Sequence, residues 1–178
     1  MLGQDPAWRG VVLSGETGAA GLATRDAALL TPSEAAVIHY TDSLDGIETR
    51  HLKGFFVGWP HPPSPETHLR LLSGSDHVVL AIDLESGQVI GFVTALTDGV
   101  LSGFVPLLEV LPAYQGQGVG QALMTRILDR LGHLPNVDLL CDPDVVPFYE
   151  RFGMKPVGGM ALRRPMGRSP AEADLASA

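Results

Sequence analysis

The sequence predicts a mixed α+β fold in which a single strand-helix-strand crossover carries the chemistry, and three observations lead there. An apolar run from Phe104 to Leu111 stops at Pro112, is followed by alternate glycines at 116, 118 and 120, and gives way at once to a helical pattern. His77 to Asp83 and Val89 to Leu96 read as two strands joined by the turn residues Glu85-Ser86-Gly87-Gln88, an antiparallel hairpin. Val137 to Cys141 has the length of a buried parallel strand, which a crossover from Leu111 would reach.

Taken in order, residues 1 to 33 are rich in Gly, Ala and Thr without sustained periodicity and form an extension, with a helical stretch near Arg25 to Leu30. The domain is expected over 34–165. Ala35 to Tyr40 is a first strand, and Ile47 to Phe56 a helix. Residues 60 to 65 hold four prolines, which remove donors and fix φ, so Gly58 to Pro65 is irregular. Glu66 to Leu72 is a short helix with Ser64 or Pro65 at its start. After the hairpin, Asp98-Gly99 turns the chain into the strand Phe104 to Leu111. The crossover helix, from Gly118 or Val119 to about Leu131, places Val119, Leu123, Ile127 and Leu131 on one side. Val145 to Phe152 is a short helix closed by Gly153 at its C′ position. Pro156 to Arg164 supplies one or two final strands, and 166–178 is a polar, fraying tail.

At 178 residues the chain is long enough for one domain with a real core, and its 45% apolar content excludes general disorder. No run reaches the ~18 apolar residues of a membrane span, so no membrane partner is expected. Met1 to Gly10 lacks the apolar stretch of a secretory signal. One cysteine allows no internal disulfide, which agrees with a cytoplasmic location. A net charge of −8 without a basic stripe argues against nucleic acid and mildly favours a cationic acceptor. The six histidines show no metal-binding spacing, so no metal is expected. A homodimer is compatible with the sequence without being read from it.

The glycine turn opening a helix offers backbone N–H groups at the positive end of the helix dipole, with no β-carbons to bar close approach by phosphate. A Walker loop would need Lys-Ser/Thr after its last glycine, and a dinucleotide fingerprint a glycine where Gln121 stands. The segment Gln115-Gly116-Gln117-Gly118-Val119-Gly120 instead resembles the acetyl-coenzyme A pyrophosphate loop of the GNAT superfamily of N-acetyltransferases. Pro147-Phe148-Tyr149-Glu150-Arg151-Phe152-Gly153-Met154 is similar to a second signature of that superfamily, Phe-Tyr-x-x-x-Gly-Phe, with Met154 in place of the last Phe. The stretch from Leu140 through Gly153 is locally similar to the arylalkylamine branch. That branch, however, carries a histidine pair where this chain has Phe104 and Pro106.

The resemblance implies a GNAT fold and acetyl transfer from acetyl-coenzyme A to a primary amine, with a small molecule as acceptor. It implies cofactor contacts from Leu108, Val110, Leu111, Gln115 to Gln121 (Gly116, Gln117, Gly118, Val119 and Gly120 between them) and Asp142. A backbone N–H near Val110 would face the thioester oxygen. Tyr149 aligns with the general acid of many members. Glu109, the one charged residue between Gly103 and Pro112, is a candidate general base, and the family's glutamate commonly stands a few residues earlier. A solvated edge carboxylate is the alternative for Glu109, and Asp142 an alternative for binding the amine. Phe55, Phe56 and Trp59 could line an apolar acceptor slot or pack beneath a rigid loop. Two other functions stay open, a coenzyme A-binding module without catalysis and a transferase of longer acyl groups.

Overall fold

The computed structural model describes residues 37–162. The N-terminal extension with its Arg25 to Leu30 helix and the tail from 166 lie outside the described residues. Five strands form one sheet in the order β1 (Ile38–Thr41), β2 (His77–Asp83), β3 (Val89–Thr97), β4 (Ser102–Val110) and β5 (Asn136–Leu139). The first four pair antiparallel, and β5 joins β4 in parallel. The helices are α1 (Pro65–Ser73), α2 (Val119–Arg130) and α3 (Val146–Glu150).

Local chemistry explains most of these elements. The Ser64 hydroxyl accepts from the Thr67 N–H at 3.3 Å, with Pro65 in the first turn where its missing donor costs nothing, so α1 starts there. Gly118, at φ 83°, caps α2 in the left-handed region. Gly153, at φ 79°, ends the turn after α3. The sheet buries both faces. On one face Val119, Leu123, Met124 and Ile127 of α2 pack with Val93, Val105, Leu108 and Val110. On the other, Leu52, Phe55, Phe56 and Leu72 cover Val78, Leu80 and Phe92. Phe92 is fully buried beneath the rings of Phe55 and His68, at 5.1 and 4.5 Å between centroids. Phe92→Ala should lower the unfolding free energy by about 3–5 kcal/mol, the usual cost of an aromatic cavity. The denaturant midpoint should fall at constant slope, and a loss below ~1 kcal/mol would show that the face collapses onto the gap.

Three sequence-based expectations are corrected. Ile47 to Phe56 is no helix. Only Thr49–His51 makes a 3-10 turn, with Gly54 at φ 86° and Phe56 at φ 62° breaking any continuation. Pro156 to Leu162 forms no strand, so the outer edge of β5 has no neighbour among the described residues. The strand expected at Val137 to Cys141 runs instead from Asn136 to Leu139 and is only half-buried. β5 is short because its pairing with β4 covers Ser102 to Val105 and stops. At that point Val105 and Pro106 together stand opposite the single β3 residue Ala95, a β-bulge. Pro106 has no N–H to offer a neighbour, so the ladder ends where the proline stands.

Candidate active site

The end of pairing at Pro106 opens a gap between β4 and β5. The N–H of Leu111 bonds to the Ile90 carbonyl on β3 at 2.8 Å. Donors alternate sides along a strand, so the N–H groups of Leu108 and Val110 point the other way, into the gap. The side chains of Leu108 and Val110 are buried against α2. What these two residues offer to a ligand is therefore main chain.

Beyond the gap the chain runs into the glycine loop, which is fastened at two points. The Gln115 side-chain amide donates to the Val110 carbonyl at 2.8 Å, and the Tyr114 hydroxyl donates to Asp83 Oδ2 at 3.1 Å. Gly116 (φ 72°) and Gly118 (φ 83°) are left-handed, and a β-carbon at either would meet nothing within 4 Å. They are exposed, as are Gln117 and Gln121, so the loop's N–H groups and the first turn of α2 border open space. The first intrahelical bond runs from Ala122 N–H to Gly118 O, at 3.0 Å, which leaves the donors of Val119, Gly120 and Gln121 outside the helix ladder. Gly120 lies where a β-carbon would touch Val110 and Phe148 at 3.7–3.8 Å, so a small residue lets α2 and α3 close on β4. This surface fits the pyrophosphate of coenzyme A: a rigid anion cradle, dipole-aligned, with space in front.

Tyr149 and Glu109 stand on opposite faces of the sheet. Tyr149 belongs to the α2 face and is 3% exposed, and its hydroxyl has no hydrogen-bond partner among the described residues. Phe148 is only half-buried, and Tyr149 is the aromatic that enters the core. Burial, with a smaller contribution from Cys141, holds the phenol well above its usual range, so it stays protonated. A buried hydroxyl without a partner costs roughly 1–3 kcal/mol, a cost relieved when a ligand supplies the acceptor. Glu109 is 7% exposed on the other face. Its Oε1 accepts from Phe56 N–H at 2.7 Å and Val57 N–H at 3.3 Å. Burial raises its pKa to about 7, against the pull of those two donors. It is thus neither the solvated edge carboxylate of the alternative reading nor an ordinary acid.

Asp142 sits half-buried three residues beyond the end of β5, just before the 3-10 turn that leads into α3. Phe55 and Phe56 are buried with Phe92 and His68, and the Trp59 ring meets Phe56 edge-on at 5.2 Å. Their packing makes them the cover of Glu109. His68 was not singled out by the sequence. It is 1% exposed, and neither ring nitrogen has a well-formed hydrogen bond. Burial lowers its pKa to about 4, although the nearby Leu52 carbonyl favours the protonated ring. Its spacing at position 4 of an amphipathic helix, among Leu69 and Leu72, was the available signal. Cys141 lines a groove of about 490 Å3 with Tyr149, Leu139 and Phe152. Burial and the carboxylates of Asp142 and Asp144 raise its thiol, which makes it a poor nucleophile. Among the described residues no group of His, Cys, Asp or Glu could hold a metal ion.

Comparison with known proteins agrees with this fold. The profile of the acetyltransferase (GNAT) family matches residues 44–154. A crystal structure of a Deinococcus radiodurans R1 protein, provisionally assigned as an acetyltransferase, is 50% identical. It superposes with a TM-score of 0.71 over 76% of this chain and 94% of its own. A GNAT family acetyltransferase of Streptococcus pneumoniae TIGR4 superposes at 28% identity and a TM-score of 0.57, over 74% of this chain and 99% of its own. Serotonin N-acetyltransferase 2, chloroplastic, of Oryza sativa subsp. japonica is 34% identical over 131 residues, 68% of this chain and 66% of its own. The chain spans 55% to 66% of the length of four curated relatives that it matches.

Proposed function

Because the chain belongs to the GNAT family of acetyltransferases and has its fold, we propose that it moves an acetyl group from acetyl-coenzyme A to a primary amine of a small molecule. Attack is direct, within a ternary complex. The observation that carries this reading is the gap beside β4, with an unpartnered, protonated Tyr149 on one face and the carboxylate of Glu109 on the other. A thioester lying through that gap would present its sulfur to one face and its carbonyl carbon to the other.

The chain's own groups then divide the work. The N–H groups from Gly116 to Gln121 hold the pyrophosphate, and the main chain of Leu108 to Leu111 aligns the pantetheine arm. The Val110 N–H stabilises negative charge on the thioester oxygen as the amine adds. Glu109 accepts the amine proton, and Tyr149 gives its proton to the departing thiolate. The raised Cys141 thiol speaks against a route through an acyl-cysteine. Two features support an amine acceptor: the net charge of −8, and the relatives named serotonin N-acetyltransferase in Oryza sativa and in Macaca mulatta, the latter 42% identical over 59 residues.

Thiol release from acetyl-coenzyme A across a panel of amines tests the reaction, and no release with any amine would leave a coenzyme A-binding module. Glu109→Gln tests the base. Glu109 must be deprotonated to work, so wild-type turnover should fall as pH drops through about 7. That limb should vanish in the variant, together with a loss of ~10²-fold or more in turnover. Stability should move the other way. A carboxyl whose pKa is raised by folding favours the fold when protonated, and that contribution is lost as pH rises from its unfolded value through about 7. Glu109→Gln removes the loss, so above neutrality the variant should melt no lower than wild type. A variant with the wild-type pH profile would move the search to Asp142 or to water.

A further inference from the structure

Between Gly54 and Gly58 the backbone is left-handed at three positions: Gly54 (φ 86°), Phe56 (φ 62°) and Gly58 (φ 80°). Phe56 is the one non-glycine among the described residues with positive φ. A residue with a β-carbon keeps that conformation only where its surroundings over-determine it. Two sets of contacts do so here. The Phe56 ring is buried edge-on against Trp59 and His68, at 5.2 and 4.9 Å. Its N–H, with that of Val57, donates to Glu109 Oε1, 53 residues further along the chain. One carboxylate oxygen thus fastens the loop to β4. A hydrogen bond to a charged carboxylate is roughly twice as strong as one to a neutral acceptor, so the fastening depends on that charge.

We propose that the loop 54–58 is a latch that positions Glu109 for the reaction and is released when Glu109 takes up the acceptor's proton. The inference rests on the reading of Glu109 as base. While the latch is closed, the N–H groups of Phe56 and Val57 aim the carboxylate and leave Oε2 for the amine. As the nitrogen lone pair bonds to the acetyl carbon, a proton leaves nitrogen for Oε2, its bonding electrons stay with nitrogen, and Glu109 becomes a neutral acid. The two donors lose their charged acceptor, and Phe56 relaxes from positive φ. The loop opens for the amide product, and the proton passes to water, which restores the charge. Phe56 and Val57 are positioning residues in this account, acting through their main chain.

Among the described residues nothing else on that face competes for the role. Phe92 stands directly opposite Glu109 on β3, with Thr94 two residues on, and both are uncharged. The loop brings Phe55, Phe56 and Trp59, and β4 brings Leu107. From α1 comes His68, buried and neutral.

The amide resonances of Phe56 and Val57 in the full chain, followed by 15N NMR from about pH 5 to 9 without ligands, test the latch. Both should move with one midpoint near 7, Phe56 further than Val57 because its bond is shorter, and neither should titrate in Glu109→Gln. Val57→Pro deletes one donor and pushes Phe56 toward extended φ. It should raise the midpoint of the acidic rate limb, because the carboxylate loses donors that favour its charged form. Phe56→Gly keeps both donors and the positive φ but removes a ring that covers Glu109, so it should lower that midpoint by letting water in. Phe56 and Val57 amides that stay flat through the acidic limb overturn the latch, whatever Val57→Pro does. Flat amides beside an inactive Glu109→Gln would leave the base reading standing. Titrating amides beside a fully active Glu109→Gln would instead overturn the base reading and the release step with it.

Discussion

Gly118→Asp is expected to abolish the thermal stabilisation that acetyl-coenzyme A gives the wild type. A ligand bound only by the folded state stabilises it by about 2.7 kcal/mol at a hundred times its dissociation constant. In a chain of this size that is a rise of roughly 5–10 °C in melting temperature. Gly118 is the N-cap of α2 at φ 83°, with open space where its β-carbon would stand. An aspartate there strains the left-handed backbone by about 1–2 kcal/mol, since only glycine adopts it freely. Its carboxylate, however, gains about 0.3–1 kcal/mol from the helix dipole. The apo protein should therefore melt only slightly lower. The ligand meets a different balance, because the dipole end is already filled by a fixed negative charge that repels the pyrophosphate. Gly118→Asn separates the two effects, having similar backbone strain without charge, and should keep part of the shift. Equal shifts in wild type and Gly118→Asp would place the anion elsewhere.

Tyr149→Phe should cut turnover by ~10² or more while the affinity for acetyl-coenzyme A changes little, the signature of a positioned general acid. Its effect on stability distinguishes this role from a packing role. The hydroxyl is buried and without a partner, so removing it relieves a desolvation cost and leaves the ring packing intact. The variant should melt at or above the wild-type temperature. Lost activity with gained stability is what a group held ready for a ligand produces. Unchanged turnover would mean that water protonates the thiolate, and a parallel loss of affinity would make Tyr149 a binding residue. Because burial keeps the phenol protonated well above neutrality, any basic limb of the wild-type rate profile should lie high, and its absence below about pH 10 is a further check.

What the sequence determined by itself was written in short-range chemistry. The glycines at 116, 118 and 153 demand left-handed φ, which side chains avoid, so the loop before α2 and the end of α3 were legible. Ser64-Pro65 starts α1 by a cap and a pre-set φ, and the turn residues Glu85 to Gln88 between two apolar runs read directly as a hairpin. The glycine loop and the start of α2, which we propose as the cofactor's cradle, were therefore visible residue by residue. Tertiary structure alone decided the rest. It drew Phe56 out of the helix expected over Ile47 to Phe56, because Glu109 on β4 accepts its N–H. It ended β5 at Leu139, because a bulge and Pro106 on β4 leave no ladder beyond Val105. It put Tyr149 and Glu109 on opposite faces of one strand gap, and there set both pKa values by burial. Backbone preference is a property of a residue and its immediate neighbours, so it can be read along the chain. Burial and unpaired donors belong to segments tens of residues apart, and they exist only once the sheet has chosen its register.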